Sequence, residues 1–160
     1  MKVLTFTYVR EDFVDMYPVG ENLECGIKYI NKVYPILKKI VKNKSINLWC
    51  TGSSGLILAT LLMTKLYKNK IHICHVKKPN EVSHSSGINT KIKHYDLNII
   101  IDDFIVTGDT VNRVNKELTD YGLTPDILII CYDNLGITKE GKLDFKPDIV
   151  IMSKEDKENE

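Results

Sequence analysis

The sequence predicts an α/β fold, with a mainly parallel sheet flanked by helices. Three observations carry that expectation. Apolar runs of strand length recur along the chain, helical apolar spacing follows several of them, and the resulting alternation of strand and helix is the pattern of a parallel sheet covered on both faces. Two glycine-bearing turns also fall directly after strands, where sheets of this kind place their ligands. With 160 residues, 43% of them hydrophobic, one domain with a real core is expected over residues 1–153. The charged residues 154–160 are expected to form a disordered tail.

Each element has its own signal. Residues 3–8 alternate like a short strand. From Glu21 to about Lys44 the apolar residues Leu23, Ile27, Ile30, Tyr34, Leu37 and Val41 fall at helical spacing, with Pro35 as the residue that would kink or divide the helix. A brief strand at 46–50 runs into the turn Thr51, Gly52, Ser53, Ser54 and Gly55. LILATLLMTKLY follows, apolar nearly all round and therefore read as a buried helix. Residues 71–76 form the next strand. Residues 77–93 then bring Pro79, Gly87 and hardly any core former, a length without structure that is uncommon in a compact domain unless the loop has a function. The strand at 97–101 ends in Asp102 and Asp103. After it Thr107, Gly108, Asp109 and Thr110 open a helix with the apolar stripe Val111, Val114, Leu118 and Tyr121, and Gly122 is placed as its C-terminal cap. Residues 127–132 and 148–152 are the last expected strands.

Composition removes several function classes. The 22 basic and 21 acidic side chains leave a formal charge of +1, so no global field draws nucleic acid or an anionic membrane, and an anionic ligand needs a local site. Cys25, Cys50, Cys74 and Cys131 are widely spaced, mostly inside apolar runs, and read as small buried hydrophobes rather than metal ligands or disulfide partners. The opening residues MKVLTFTYVRED turn charged before a signal-peptide core can form, and no stretch reaches membrane-spanning length. A reduced, cytoplasmic setting is the expectation. His72, His75 and His94 lack ligand spacing. Trp49 reads as core, and Arg113 as a residue of the exposed helix face more than as added charge for the cradle.

Three segments carry chemistry. Asp102 and Asp103 follow Ile99, Ile100 and Ile101, so two carboxylates are delivered from an apolar core to a sheet edge, where burial and mutual repulsion call for hydroxyl donors or a cation. Just beyond, Gly108 permits a tight turn that presents backbone N–H groups at a helix N-terminus, an anion site flanked by the hydroxyls of Thr107 and Thr110. A diol-and-metal reader beside a phosphate cradle matches a sugar phosphate. Taken piecemeal, the same residues could merely end a strand, begin a turn and cap a helix. The turn from Thr51 to Gly55 offers amides and hydroxyls at the same sheet edge. In the third segment Lys77, Lys78, His84 and several serines lie in a polar loop able to close over a polyphosphate, although composition alone equally allows a solvated excursion.

As a whole, IIIDDFIVTGDT, residues 99–110, resembles the phosphoribosyl pyrophosphate (PRPP) signature of the type I phosphoribosyltransferases, matching it without a gap. The resemblance implies a Rossmann-like type I phosphoribosyltransferase fold, here with a small or minimal hood, and transfer of the 5-phosphoribosyl group of PRPP to a nitrogenous base with release of pyrophosphate. It implies that Asp102 and Asp103 contact the ribose 2- and 3-hydroxyls and serve Mg2+, bound mainly through PRPP. Val106, Thr107, Gly108, Asp109 and Thr110 would wrap the 5-phosphate, and Thr51, Gly52, Ser53, Ser54 and Gly55 would hold pyrophosphate. Lys77, Lys78 and His84 would belong to a catalytic loop that closes on it. Val106 stands where hypoxanthine-guanine enzymes carry an aspartate, which points away from a 6-oxopurine. After residue 152 only SKEDKENE remains, so the hood over the base is expected from residues 8–17, an option that Phe13, Val14, Tyr17 and the adjoining Pro18 support, or from a partner subunit. Homodimers are common among related proteins. The family also includes regulatory proteins that keep the ligand loops without useful catalysis, and that alternative stays open. Diphosphokinases that make PRPP share the signature but resemble two such domains in tandem, which this chain is too short to hold.

Overall fold

Strands buried on both faces need side chains that are apolar on both faces. β2 (Ile46–Thr51) is buried along its whole length, and β4 (Leu97–Ile105) along all but Phe104. A computed structural model describes residues 1–8, 23–80, 92–133 and 143–155. Around β2 and β4 it arranges β1 (Lys2–Tyr8), α1 (Leu23–Val41), α2 (Gly52–Lys65), β3 (Ile71–Val76), α3 (Asp109–Asp120), β5 (Ile127–Asp133) and β6 (Ile149–Glu155). The described strands form one six-stranded sheet in the order β1-β6-β5-β4-β2-β3. Every neighbouring pair is parallel.

Period-two alternation divides the strand side chains between two cores. Leu48, Ile99, Ile101 and Ile129 face α1 and α2, meeting Tyr29, Ile30, Val33 and Leu37 from the first helix and Leu58 and Leu62 from the second. Trp49, Ile100, Leu128 and Ile130 face the other way, toward Val111, Val114 and Leu118 of α3. The chain steps outward from β2 to β3, returns across the sheet to β4, then continues to β5 and β6. That reversal, between β2 and β4, is the topological switch point, and the helices leaving those two strands lie on opposite faces. A crevice therefore opens at their carboxyl ends.

Several boundaries differ from expectation. α1 stays a single helix through Pro35; Pro35 and Asn31, whose carbonyl loses its partner, are both exposed, where solvent can serve that carbonyl. Its buried face is Cys25, Gly26, Tyr29, Ile30, Val33, Leu37 and Val41, while Leu23 and Ile27 are exposed. Two adjoining apolar stripes exist on this helix, and packing against the sheet chooses between them. α2 buries only Gly55, Leu58, Ala59 and Leu62, with Leu56 exposed, so it is one-sided rather than buried all round. β4 runs on to Ile105 and takes both aspartates into the strand. β6 runs on to Glu155, with Lys154 and Glu155 paired to Thr7 and Tyr8 of β1, so the first two residues of the expected tail are strand. The rest of the tail lies outside the described residues.

α3 ends as expected at Gly122, whose φ is +74°. Its amide donates to the Thr119 carbonyl at 2.8 Å, and the Leu123 amide to Leu118 at 3.3 Å, the paired bonds of a Schellman cap. Tyr121, assigned to the buried stripe, is the cap residue and is exposed. Trp49 is fully buried. All four cysteines are buried and none forms a disulfide; burial pushes the Cys50 and Cys74 thiols up to about 12. No described helix is long and apolar enough to cross a membrane.

Candidate functional site

β4 carries Ile99, Ile100 and Ile101 out of the core and delivers Asp102 and Asp103, 8% and 7% exposed, to the crevice. Each carboxylate captures the backbone amide that follows it: Asp103 N donates to Asp102 Oδ1 at 3.0 Å, and Phe104 N to Asp103 Oδ1 at 2.9 Å. Short acidic side chains do this readily, and it fixes both groups against their own strand. From the opposite side the fully buried Tyr29 hydroxyl donates to the Asp102 carbonyl at 3.3 Å. Burial, and then the Asp103 carboxylate beside it, push Asp102 well above the usual carboxylate range, with Arg113 acting in the opposite direction. The pair is therefore charge-rich, poorly solvated and short of donors.

Beyond Ile105 the chain turns at Gly108, whose φ of +90° is a conformation other residues rarely adopt. Gly108 is the N-cap of α3, and no side chain caps that helix. The Thr107 hydroxyl instead donates to the Asp109 carboxylate at 2.8 Å, and accepts from the Asp109 amide at 3.3 Å. The next first-turn amides of α3 are left at the positive end of the helix dipole, at the crevice.

The β2 turn is built differently but leaves the same opening. Thr51 keeps an extended backbone, and its hydroxyl donates across to the Val76 carbonyl at 2.6 Å rather than capping α2. α2 starts at Gly52, with φ +67° and no acidic residue in its first turn. A Cβ at position 52 would lie 3.2 Å from Cε of Lys78, so the lysine side chain crosses directly over this glycine. A Cβ at Gly55 would meet that of Cys50 at 3.3 Å; this glycine sets the close approach of helix to strand.

These pieces border a cleft of about 500 Å³. Thr51, Gly52, Ser53, Ser54, Lys78, Asp102, Asp103, Val106, Thr107, Gly108 and Thr110, all expected at the site, line it together. Gly55 lies beneath it, Asp109 supports it through Thr107, and Lys77 is half-buried outside its walls. His84 lies outside the described residues, as do residues 9–22, which include Phe13, Val14, Tyr17 and Pro18. Arg113 is a correction: it is not on the exposed face but lines the cleft, its Nη2 donating to Thr51 Oγ1 at 3.4 Å. Its Nε is buried without a hydrogen-bond partner among the described residues. The available signal was geometric, since helical side chains lean toward the N-terminus and a residue one turn in reaches back over it.

No family model matches the sequence, and no curated protein matches it. Solved structures do. Adenine phosphoribosyltransferase from Saccharomyces cerevisiae, complexed with an imino-altritol bisphosphate and adenine, aligns over 83% of this chain and 81% of its own, with 16% identity and a TM-score of 0.63. The Trypanosoma brucei adenine enzyme, in complex with AMP, pyrophosphate and ribose-5-phosphate, aligns over 87% of this chain and 68% of its own, with 16% identity and a TM-score of 0.63. A hypoxanthine-guanine phosphoribosyltransferase from Bacillus anthracis aligns over 81% and 77%, with 15% identity and a TM-score of 0.51. The chain has the type I phosphoribosyltransferase fold. Within that fold the acidic pair and both glycine turns occupy the switch point between β2 and β4.

Proposed function

We propose that the cleft binds PRPP and that the protein transfers its 5-phosphoribosyl group to a nitrogenous base, releasing pyrophosphate. The observation that carries this reading is a buried, donor-poor acidic pair set between two helix N-termini that no side chain caps. One ligand answers all three demands: its ribose hydroxyls suit the carboxylates, and its two phosphate ends suit the two helices. In this reading Asp102 and Asp103 receive the ribose 2- and 3-hydroxyls, and Val106, Thr107, Gly108, Asp109 and Thr110 enclose the 5-phosphate. The turn from Thr51 to Gly55 takes pyrophosphate together with Lys78, and Lys77 and His84 belong to the loop that closes over it.

Magnesium suits the same place, because each carboxylate is anchored by one backbone amide and has acceptor capacity left toward the cleft. Bound there through PRPP, it would offset pyrophosphate charge and organise the ribose oxygens. The protein's own part is positioning and electrostatics. Departure of pyrophosphate from C1 builds negative charge on the leaving group, which the α2 amides and Lys78 stabilise, and positive charge on the sugar, which the acidic pair stabilises. The base nitrogen is the nucleophile, so no protein nucleophile is needed. A reducing, cytoplasmic setting and a homodimer complete the proposal; four buried thiols outside any disulfide support the first, and resemblance to a family in which homodimers are common supports the second.

The test is pyrophosphate release from PRPP and magnesium across a panel of nucleobases, with the Asp102→Asn/Asp103→Asn variant alongside. Turnover on one base, abolished in a variant that still folds, is the expected result. Undiminished turnover in the variant would remove the acidic pair from the mechanism. Saturable PRPP binding without turnover on any base would recast the protein as a regulatory binding protein.

A further inference from the structure

At the pole opposite the cleft, where α1 and α2 end, a second concavity of about 490 Å³ opens. α2 spans 14 residues, which at 1.5 Å per residue separates this groove from the cleft by roughly 20 Å. Lys38, Lys42, Lys65 and Lys68 line it, with no acidic residue among its described walls, and all four are exposed. Among the described residues none of them takes part in a salt bridge. The floor is a built one: the Asn69 side-chain amide donates to the carbonyls of Lys42 at 2.6 Å and Lys44 at 2.9 Å, tying the two connections together.

Attraction to helix C-termini accounts for Lys38 and Lys65, which stand in last turns. It does not account for Lys68, three residues past the end of α2. Lys42 has a φ of +40°, at a position where glycine or asparagine is the usual occupant. Nor does it account for the aromatics. Lys38 lies over the Tyr34 ring at 5.6 Å, Lys68 over Tyr67 at 5.8 Å and Lys70 over Tyr95 at 5.5 Å. Tyr67 is 75% exposed. Because Ile46 is paired with both Ile71 and Leu97, Lys70 and Tyr95 continue this surface across the amino ends of three adjacent strands.

We propose that this groove binds single-stranded nucleic acid, with the lysines on phosphates and the exposed Tyr67 stacking on a base. Repeated pairing of a cation with a flat ring matches a polymer that alternates phosphate with base. A free mononucleotide would engage one such pair and leave the others unused. An anionic bilayer presents a flat surface, whereas this site is concave and carries tyrosines in place of an aliphatic insertion face. The formal charge of +1 hid the site because it counts charges without placing them. The proposal is independent of what the cleft binds.

The experiment uses the full chain and a fluorescein-labelled oligouridylate about a dozen nucleotides long, followed by anisotropy across a salt series. Binding is expected at low salt, weakening with a log–log slope of about −3 if four lysine–phosphate contacts form. Joint replacement Lys38→Gln, Lys42→Gln, Lys65→Gln and Lys68→Gln should weaken it at least about tenfold and flatten that slope. Tyr67→Ala, at an exposed site that does not threaten folding, should weaken it about fivefold and leave the slope unchanged. Thermal melts of both variants and their PRPP binding at the cleft should match wild type. Absence of oligonucleotide binding at low salt, affinity unchanged in both variants, or capture by phosphatidylserine vesicles without oligonucleotide binding would each overturn the proposal.

Discussion

The turns at the ends of β2 and β4 do the same structural job by opposite chemical means. Both leave a helix N-terminus without a side-chain cap, at a glycine with positive φ. The β2 turn is neutral and tied to its neighbours: Thr51 bonds Val76 on β3 and receives Arg113 from α3. The β4 side carries, at the end of the strand, two carboxylates that bond chiefly to their own backbone. The difference teaches how one cleft can suit both a polyanion and a polyol. Amides at helix ends stabilise negative charge, while Asp102 and Asp103, a few residues upstream on the strand, supply acceptors; Asp109, in the first turn of α3, is engaged by Thr107.

The largest effect should come from neutralising the β4 side. Asp102→Asn/Asp103→Asn is expected to lower turnover by roughly a hundredfold or more, the scale of losing electrostatic stabilisation in an active site, measured as initial rates of pyrophosphate release. Folding should persist, because the substitution replaces two poorly solvated carboxyl groups with neutral amides of the same shape; circular dichroism melts check this.

A glycine comparison sharpens the β2 side. Gly52→Ala and Gly122→Ala force alanine into similar left-handed geometry, φ +67° and +74°, and each should cost about 1 kcal/mol in denaturant titrations. At Gly122 the new Cβ meets nothing within 4 Å, whereas at Gly52 it presses on Lys78. PRPP affinity should therefore fall only in the Gly52 variant; equal affinities would mean that the β2 turn is scaffold alone.

Acidity separates the two turns further, since the raised group is Asp102. A carboxyl held above its ordinary value of about 3.9 favours the protonated folded state. Its contribution is full below that value and is lost as pH climbs through the raised one. The stability of wild type relative to Asp102→Asn should accordingly decline from about pH 4 upward, as read from paired melts without ligand. PRPP with magnesium should flatten that decline, because both favour the ionised pair. A difference independent of pH would show that the burial of Asp102 has no electrostatic consequence.

The smallest effect belongs to Tyr29→Phe. Its hydroxyl donates to the Asp102 carbonyl over a long 3.3 Å bond, so about 0.5 kcal/mol of stability is expected to be lost. Turnover should change less than it does in any aspartate variant, and a larger loss would make the phenol part of the site.

Legibility in the sequence followed the range of the physics. Gly108 and Gly122 were readable because positive φ is a local demand that few residues meet, and the place of the acidic pair because two carboxylates after three isoleucines mark where an apolar strand leaves the core. The buried stripe of α1 was readable in part: Ile30, Leu37 and Val41 are buried as expected, but Cys25, Tyr29 and Val33 make as good a face as Leu23 and Ile27. Arg113 was misplaced for a related reason: its partner, Thr51, is 62 residues away, and a helical wheel carries no information about what stands across a crevice.

Local covalent order therefore determined the alternation of strand and helix, the two glycine turns and the carboxylates between them, because backbone conformation and short-range polarity act over a few residues. The tertiary structure alone decided that β2 and β4 are neighbours at a switch point, that Lys78 lies over Gly52, that Arg113 spans the opening, and that lysines distant in the chain share one groove. Those are outcomes of strand order and packing, which sum weak contacts over the whole core and leave no signature at any single position.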